Sequence, residues 1–183
     1  VIYSQPHGIK ILDQVKSKAF ILSGYDVPNM IVRPLMSLLE IHEANNLAYR
    51  AISAQNLYFL DEEMKHVVLG ENVTAPPGFG HESIFEPIER AMCNPEGRGT
   101  GTVADDIFSL GAAIGVLMLG YNPLEKVNEE DQIRARLNKG SFNAIFGAVQ
   151  FGSNAQEISL ALVTPLRGMM HDDPLLRWNC EDI

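Results

Sequence analysis

The chain is short of positive charge: 14 Lys and Arg stand against 23 Asp and Glu, a formal net charge of -9 over 183 residues. That balance repels phosphate, and no basic run overrides it locally, so nucleic acid and anionic membrane surfaces are excluded as main partners. Cysteine is scarce as well. Cys93 and Cys180 are far apart and lack metal-ligand spacing, so they read as idle thiols of a reducing compartment. The five histidines are scattered, and His42-Glu43 lacks the second histidine that a zinc-protease helix needs. No signal-peptide pattern is present at the start. The longest apolar run, Ile107 to Leu119, is broken by Ser109 and too short to cross a bilayer. A soluble, cytoplasmic protein is expected.

What is present is enough for one folded domain. A hydrophobic fraction of 46% with 20% charged residues argues against disorder, and this length can enclose one proper core.

Residues Val1 to Tyr3 read as the end of a strand, and Pro6 to Gly8 as a turn, followed by a short amphipathic stretch from Ile9 to Val15. Asp26, Val27 and Pro28 look like a capped helix start, and Ile31, Leu35, Leu38, Leu39 and His42 share one helical face. Pro34 costs about 3 kcal/mol inside a helix, so a kink or a later start is expected there. Two strands, Asn56–Leu60 and His66–Leu69, flank a polar turn at Asp61–Glu63. A Pro- and Gly-rich loop spans 71–89. Ala104–Leu119 is apolar on nearly every face, with Gly111 and Gly115 permitting close approach, and predicts a central helix. Two more helices are expected near Glu129–Lys139 and Gln156–Met169, the second broken at Pro165.

Four segments in order carry a resemblance. Tyr49-Arg50-Ala51-Ile52-Ser53-Ala54-Gln55-Asn56 resembles the catalytic loop of protein kinases (His-Arg-Asp, four residues, Asn) and lies between a helix and a strand as that loop does. Leu69-Gly70-Glu71 stands where kinases place Asp-Phe-Gly. Asp106, Ser109 and Gly111 match the central-helix signature, and Asp173-Pro174-Leu175-Leu176-Arg177 the closing Asp-Pro-x-x-Arg. Glu86-Pro87-Ile88-Glu89 stands in for Ala-Pro-Glu. The chain thus resembles the Ser/Thr protein-kinase-like superfamily. The fold this implies is mainly α (α+β, protein kinase-like): a helical C-terminal lobe with a small β-hairpin and no N-terminal lobe. Residues 1–8 would be the end of the inter-lobe strand and the hinge, and residues 9–183 the lobe itself.

The resemblance also implies what is missing. The aspartate that accepts the substrate proton in kinases is Ala51, and the catalytic-loop lysine is Ser53. The magnesium-binding aspartate is Glu71, while the second magnesium ligand, Asn56, is kept. Tyr58 occupies the place of the aliphatic floor beneath adenine. The implied frame is retained: Arg50; Asp106, which in the family accepts catalytic-loop amides; and Glu89, which forms a buried ion pair with Arg177. Arg50 often pairs with an activation-loop phosphate in kinases, and Thr74 and Ser83 are the hydroxyls in the corresponding segment.

The expectation is a pseudokinase, not an enzyme, acting as a protein-interaction or regulatory scaffold. The alternative is an ATP-binding sensor, or a transferase of non-phosphoryl chemistry. No cofactor is expected. The alternative would use Mg/ATP, with Asn56 and Glu71 as metal ligands and Tyr58 beside the base. The partners would be other proteins or the missing N-terminal lobe, with homo-oligomers through the exposed lobe face. No nucleic acid and no membrane is expected as partner.

Overall fold

The computed structural model describes residues 8–70, 77–94, 96 and 98–183. The strand end at Val1–Tyr3, the Pro6–His7 part of the turn, and Glu71 and Thr74 lie outside them. Over the described residues the fold is mixed α/β, 48% helical with seven helices and small sheets, so helix dominates.

The first sheet is a three-stranded antiparallel meander in the order β1 (Ile9–Lys10), β2 (Leu57–Phe59), β3 (Val67–Leu69). Ile9 pairs with Phe59, and Leu57 with Leu69. Alternation along β2 sends Leu57 and Phe59 into the core at 0% and 1% exposure and leaves Tyr58 on the outer face. The turn between β2 and β3 is built by Asp61, whose carboxylate accepts the amides of Lys65 and His66, both at 3.1 Å. The stretch expected to be amphipathic through Val15 divides: two residues join the sheet, and α1 (Ile11–Lys16) buries Ile11, Leu12 and Val15.

Asp26 does not cap the next helix. Its carboxylate accepts Ser23 N and Ser23 Oγ, at 3.2 and 2.6 Å, and so closes the preceding turn. The backbone then makes one wide π-type turn over Pro28–Val32, in which Arg33 N bonds to Pro28 O, before α2 (Arg33–Ala44) begins. Pro34 therefore falls in the first turn of the regular helix, directly after the π-type turn. Ile31, Leu35 and Leu39 face the core.

The centre of the molecule is α4 (Val103–Leu119), buried at every position from Asp105 to Leu119. Gly115 lets it approach the ring of Phe146: a Cβ there would lie 2.3 Å from Phe146 Cζ. Gly120, at φ +75°, ends the helix in the left-handed conformation. Ahead of α4 lie a single 3₁₀ turn at Ser83–Phe85 and the short α3 (Ile88–Ala91). After it come α5 (Glu129–Lys139), capped by Asn128, and α6 (Ser141–Phe146), which the periodicity did not mark.

The helix expected over Gln156–Met169 is half as long. Phe151–Gly152 (β4) and Ile158–Ser159 (β5) pair in parallel, a 3₁₀ turn covers Leu160–Leu162, and α7 runs only over Val163–Met169. Pro165 is thus a first-turn residue and not a break, because a proline ring is pre-set for the start of a helix. No helix among the described residues is long and apolar enough to cross a membrane.

Candidate functional site

The loop between α2 and β2 is short, and most of its bonds reach outside it. It leaves α2 through Asn46, which takes a left-handed φ of 53°, and Arg50 repeats that conformation at φ 60°. A left-handed arginine is costly unless its surroundings over-determine it, and here they do. Asp106, in the first turn of α4, turns its carboxylate back onto the loop and accepts Tyr49 N at 2.6 Å and Arg50 N at 2.8 Å. Burial pushes the Asp106 carboxyl up to about 6, against the lowering pull of these two amide bonds and of the Arg50 charge. On the other side of the loop, Asn56 Nδ2 donates to Ala51 O at 2.8 Å.

Tyr49 ties this loop to the end of β3: its phenol donates to Gly70 O at 2.7 Å. Burial raises the phenol above its ordinary range, opposed by a hydrogen bond with Asn56. Asn56 thus holds the loop backbone through its amide nitrogen. Glu71, its expected partner at a metal, lies outside the described residues. Among those described, no group of three or more His, Cys, Asp or Glu is placed to hold a metal ion. Tyr58 is half-buried, with its ring against Gly8 and Gly70 and the Lys10 amine 5.8 Å from its centroid.

Ala51 and Ser53 are both buried, at 4% and 7% exposure. The centre of the loop is a methyl group, which can neither accept a proton nor bind a cation. The hairpin behind it is largely packed inward. Leu57, Phe59 and Val67 enter the core, Val68 and Leu69 are half-buried, and Leu60 is its exposed large apolar side chain.

Two ion pairs surround the loop. Arg177 Nη2 meets Glu89 Oε1 at 3.0 Å. Only the arginine is buried, since Glu89 keeps 35% side-chain exposure against 0% for Arg177, which corrects the expectation of a fully buried pair. The guanidinium is satisfied mainly by backbone: its Nε donates to His171 O at 2.8 Å, with Asp172 O and Ala104 O at 3.3 and 3.4 Å. Asp105 adds a carboxylate at 3.6 Å. The other pair is fully enclosed. Arg50 Nη2 contacts Glu86 Oε2 at 2.8 Å, with the side chains 1% and 0% exposed. The second Glu86 oxygen faces His81 Nδ1 at 2.7 Å. Burial alone would raise the Glu86 carboxyl, but the His81 hydrogen bond and the Arg50 charge outweigh it and hold it below the usual carboxylate range.

Glu86, His81, Arg98 and Arg136 were not singled out from the sequence. Arg136, in the strongly charged α5, is 1% exposed. It donates to Ser83 O at 2.7 Å, Glu86 O at 2.6 Å and Ser141 Oγ at 2.9 Å, and burial lowers its pKa to about 10. Arg98 donates to His81 O at 2.6 Å. Ser83 is buried and donates to Gln132 Oε1 at 3.2 Å. Both cysteines are free. Burial, then the nearby Glu43 carboxylate, pushes the Cys180 thiol up to about 11 and suppresses its thiolate.

No protein-family model matches the chain, and no curated protein matches it.

Proposed function

We propose that the chain is the helical lobe of a protein-kinase-like domain that has lost phosphoryl transfer and serves as a protein-interaction scaffold. One observation supports the reading: Asp106 holds the amides of Tyr49 and Arg50, and the residue that follows them, at the place of the kinase carboxylate in the proposed alignment, is Ala51. Catalysis of that kind rests on positioning and on charge stabilisation. Losing the base at 51 and the cation at 53 together removes several powers of ten in rate. The loop backbone is meanwhile held from two sides, by Asp106 and by Asn56. Its partners are other proteins, among them the lobe that would cover the outer face of β2 and β3, or a second copy through that face.

The competing reading, an ATP-binding sensor or transferase, draws on Asn56 and Glu71. Asn56 Nδ2 donates to Ala51 O, and the Tyr58 ring lies against Gly8 and Gly70. Thermal unfolding with ATP, with and without Mg2+, separates the two. A bound nucleotide at 100 times its dissociation constant adds about 2.7 kcal/mol of stability. The scaffold reading expects no shift. A Mg2+-dependent shift abolished by Glu71→Ala would sink it.

A further inference from the structure

Between α1 and α2 the chain passes the end of α4 and the loop from β4 to β5, and a cavity of about 140 Å³ opens among the three. The buried side chains that line it are apolar: Leu22 from the connection and Met118 from α4. Two glycines let its walls close. A Cβ on Gly24 would lie 2.4 Å from Ser159 Oγ, and one on Gly152 would lie 2.1 Å from Glu157 Oε2. No residue of the loop 49–56 takes part in the lining.

Glu157 is the one charged side chain that lines this cavity. The β4–β5 loop sets its carboxylate: Asn154 N donates to Oε2, and Asn154 Nδ2 to both oxygens, each at 3.1 Å. Asn154 is neutral, and among the described residues no cation pairs with Glu157. A carboxylate offers about four acceptor positions. Three are used here, which leaves one, on Oε1.

An uncompensated carboxylate beside buried apolar side chains, in a chain of net charge -9, is complementary to a cation on an alkyl stem. One remaining acceptor suits the point charge of an ammonium, whereas a guanidinium fork asks for two. Whole small-molecule ligands occupy pockets of about 300–1,000 Å³, so a cavity of about 140 Å³ fits a single side chain better. Tyr25 and Ile21 line the cavity and are still 92% and 60% exposed. A free amine would leave both in water, and the flanking residues of a protein segment would cover them.

We infer that this cavity receives a lysine side chain of a partner protein. The methylenes lie along Leu22 and Met118, the ammonium donates to Glu157 Oε1, and the Tyr25 ring stands beside the charge. That the occupant is a protein segment rests on the scaffold reading, to which it adds the chemistry of the partner. The preference for an alkylammonium does not rest on it.

The probe is N-acetyl-lysine methylamide, titrated into the nitrogen-labelled chain and followed by NMR. It should move the amides of Gly24, Gly152 and Ser153, with a dissociation constant on the order of 1 mM. N-acetyl-norleucine methylamide, with a similar stem and no charge, should bind on the order of tenfold more weakly. The lysine probe should lose as much on Glu157→Gln, which keeps an acceptor oxygen for Asn154. The arginine analogue and n-butylammonium should both bind more weakly than the lysine probe. No shift at these amides would overturn the inference, as would a norleucine analogue that binds equally well or a Glu157→Gln chain that binds undiminished. An arginine analogue that binds as tightly would overturn the single-ammonium geometry, and n-butylammonium that binds as tightly would overturn the protein partner. Where Glu157→Gln disturbs the β4–β5 loop, the comparisons among ligands on the unaltered chain decide alone. None of these titrations contains a nucleotide. Lysine binding can therefore fail while ATP leaves the melting temperature unmoved, and it can persist where a Mg2+-dependent shift sinks the scaffold reading.

Discussion

Asp106→Ala tests how the loop is held, and its size can be worked out in advance. The substitution orphans two buried amides, Tyr49 N and Arg50 N, which now donate at 2.6 and 2.8 Å. At about 1–3 kcal/mol for each unsatisfied buried group, the loss centres near 4 kcal/mol when the wild-type carboxyl is neutral. The carboxyl is not neutral at every pH. Its folded pKa is raised from 3.8 to about 6, so its stabilising contribution is complete below the unfolded value and is lost as pH rises through the folded one. A shift of that size corresponds to about 3 kcal/mol, nearly all of it forfeited by neutral pH. The alanine variant forfeits nothing, because it does not titrate. Its penalty should therefore be about 1 kcal/mol at pH 7.5 and about 3 kcal/mol at pH 4.5, where roughly two thirds of the titration is still to come. Urea unfolding followed by circular dichroism at the two pH values measures both numbers, with background titrations common to the two proteins cancelling in the difference. A penalty that is flat, or that grows with pH, would refute the reasoning. It would mean that the amide bonds and not burial set the ionisation of Asp106.

The Arg177–Glu89 pair should be lopsided. Arg177→Ala removes a buried cation together with its carbonyl bonds and should cost about 3–5 kcal/mol. Glu89→Gln, on the half-exposed side, should cost about 1 kcal/mol or less; equal penalties in chemical denaturation would argue against the exposures of 0% and 35%. Gly115→Ala places a methyl 2.3 Å from Phe146 Cζ and should lose about 1–3 kcal/mol to overpacking despite its better helix propensity. Gly111→Ala, with its nearest atoms at 3.0 Å, should come close to neutral; a Gly115→Ala protein melting at or above the wild-type temperature would mean that α6 is not seated on α4.

The elements that could be read from the residues are those whose signals are local. The all-round apolar run of α4, the helix near Glu129–Lys139 and the Asp61 turn between β2 and β3 each announce themselves within a dozen positions. Pro165 misled because one residue type both breaks helices and starts them, and only the short β5 ahead of it decides which. The strand at Ile9–Lys10 is two residues long and exists because β2 offers it an edge. At the site, Asp106, Glu89 and Arg177 were reachable through motif spacing alone. His81, Arg98 and Arg136 were not, because an isolated charge in a polar stretch reads as a surface group. What buries Arg136 at 1% exposure is a set of backbone carbonyls about fifty residues away in sequence.

That arrangement also explains why the segment 78–86 is held by arginines. A stretch that forms neither a full helix nor a strand leaves its carbonyls unpaired, and buried unpaired carbonyls are expensive. Apolar neighbours would bury the segment but satisfy none of them. A guanidinium presents five donors in a fixed fork, so Arg98 can serve two carbonyls of the segment and Arg136 two more. Each arginine is desolvated in doing so, and a hydrophobic replacement of similar volume need not be less stable overall. What such a replacement loses is direction, since packing tolerates a slipped loop and a fork of hydrogen bonds does not. The buried arginines therefore act on which conformation the segment adopts more than on how stable the lobe is.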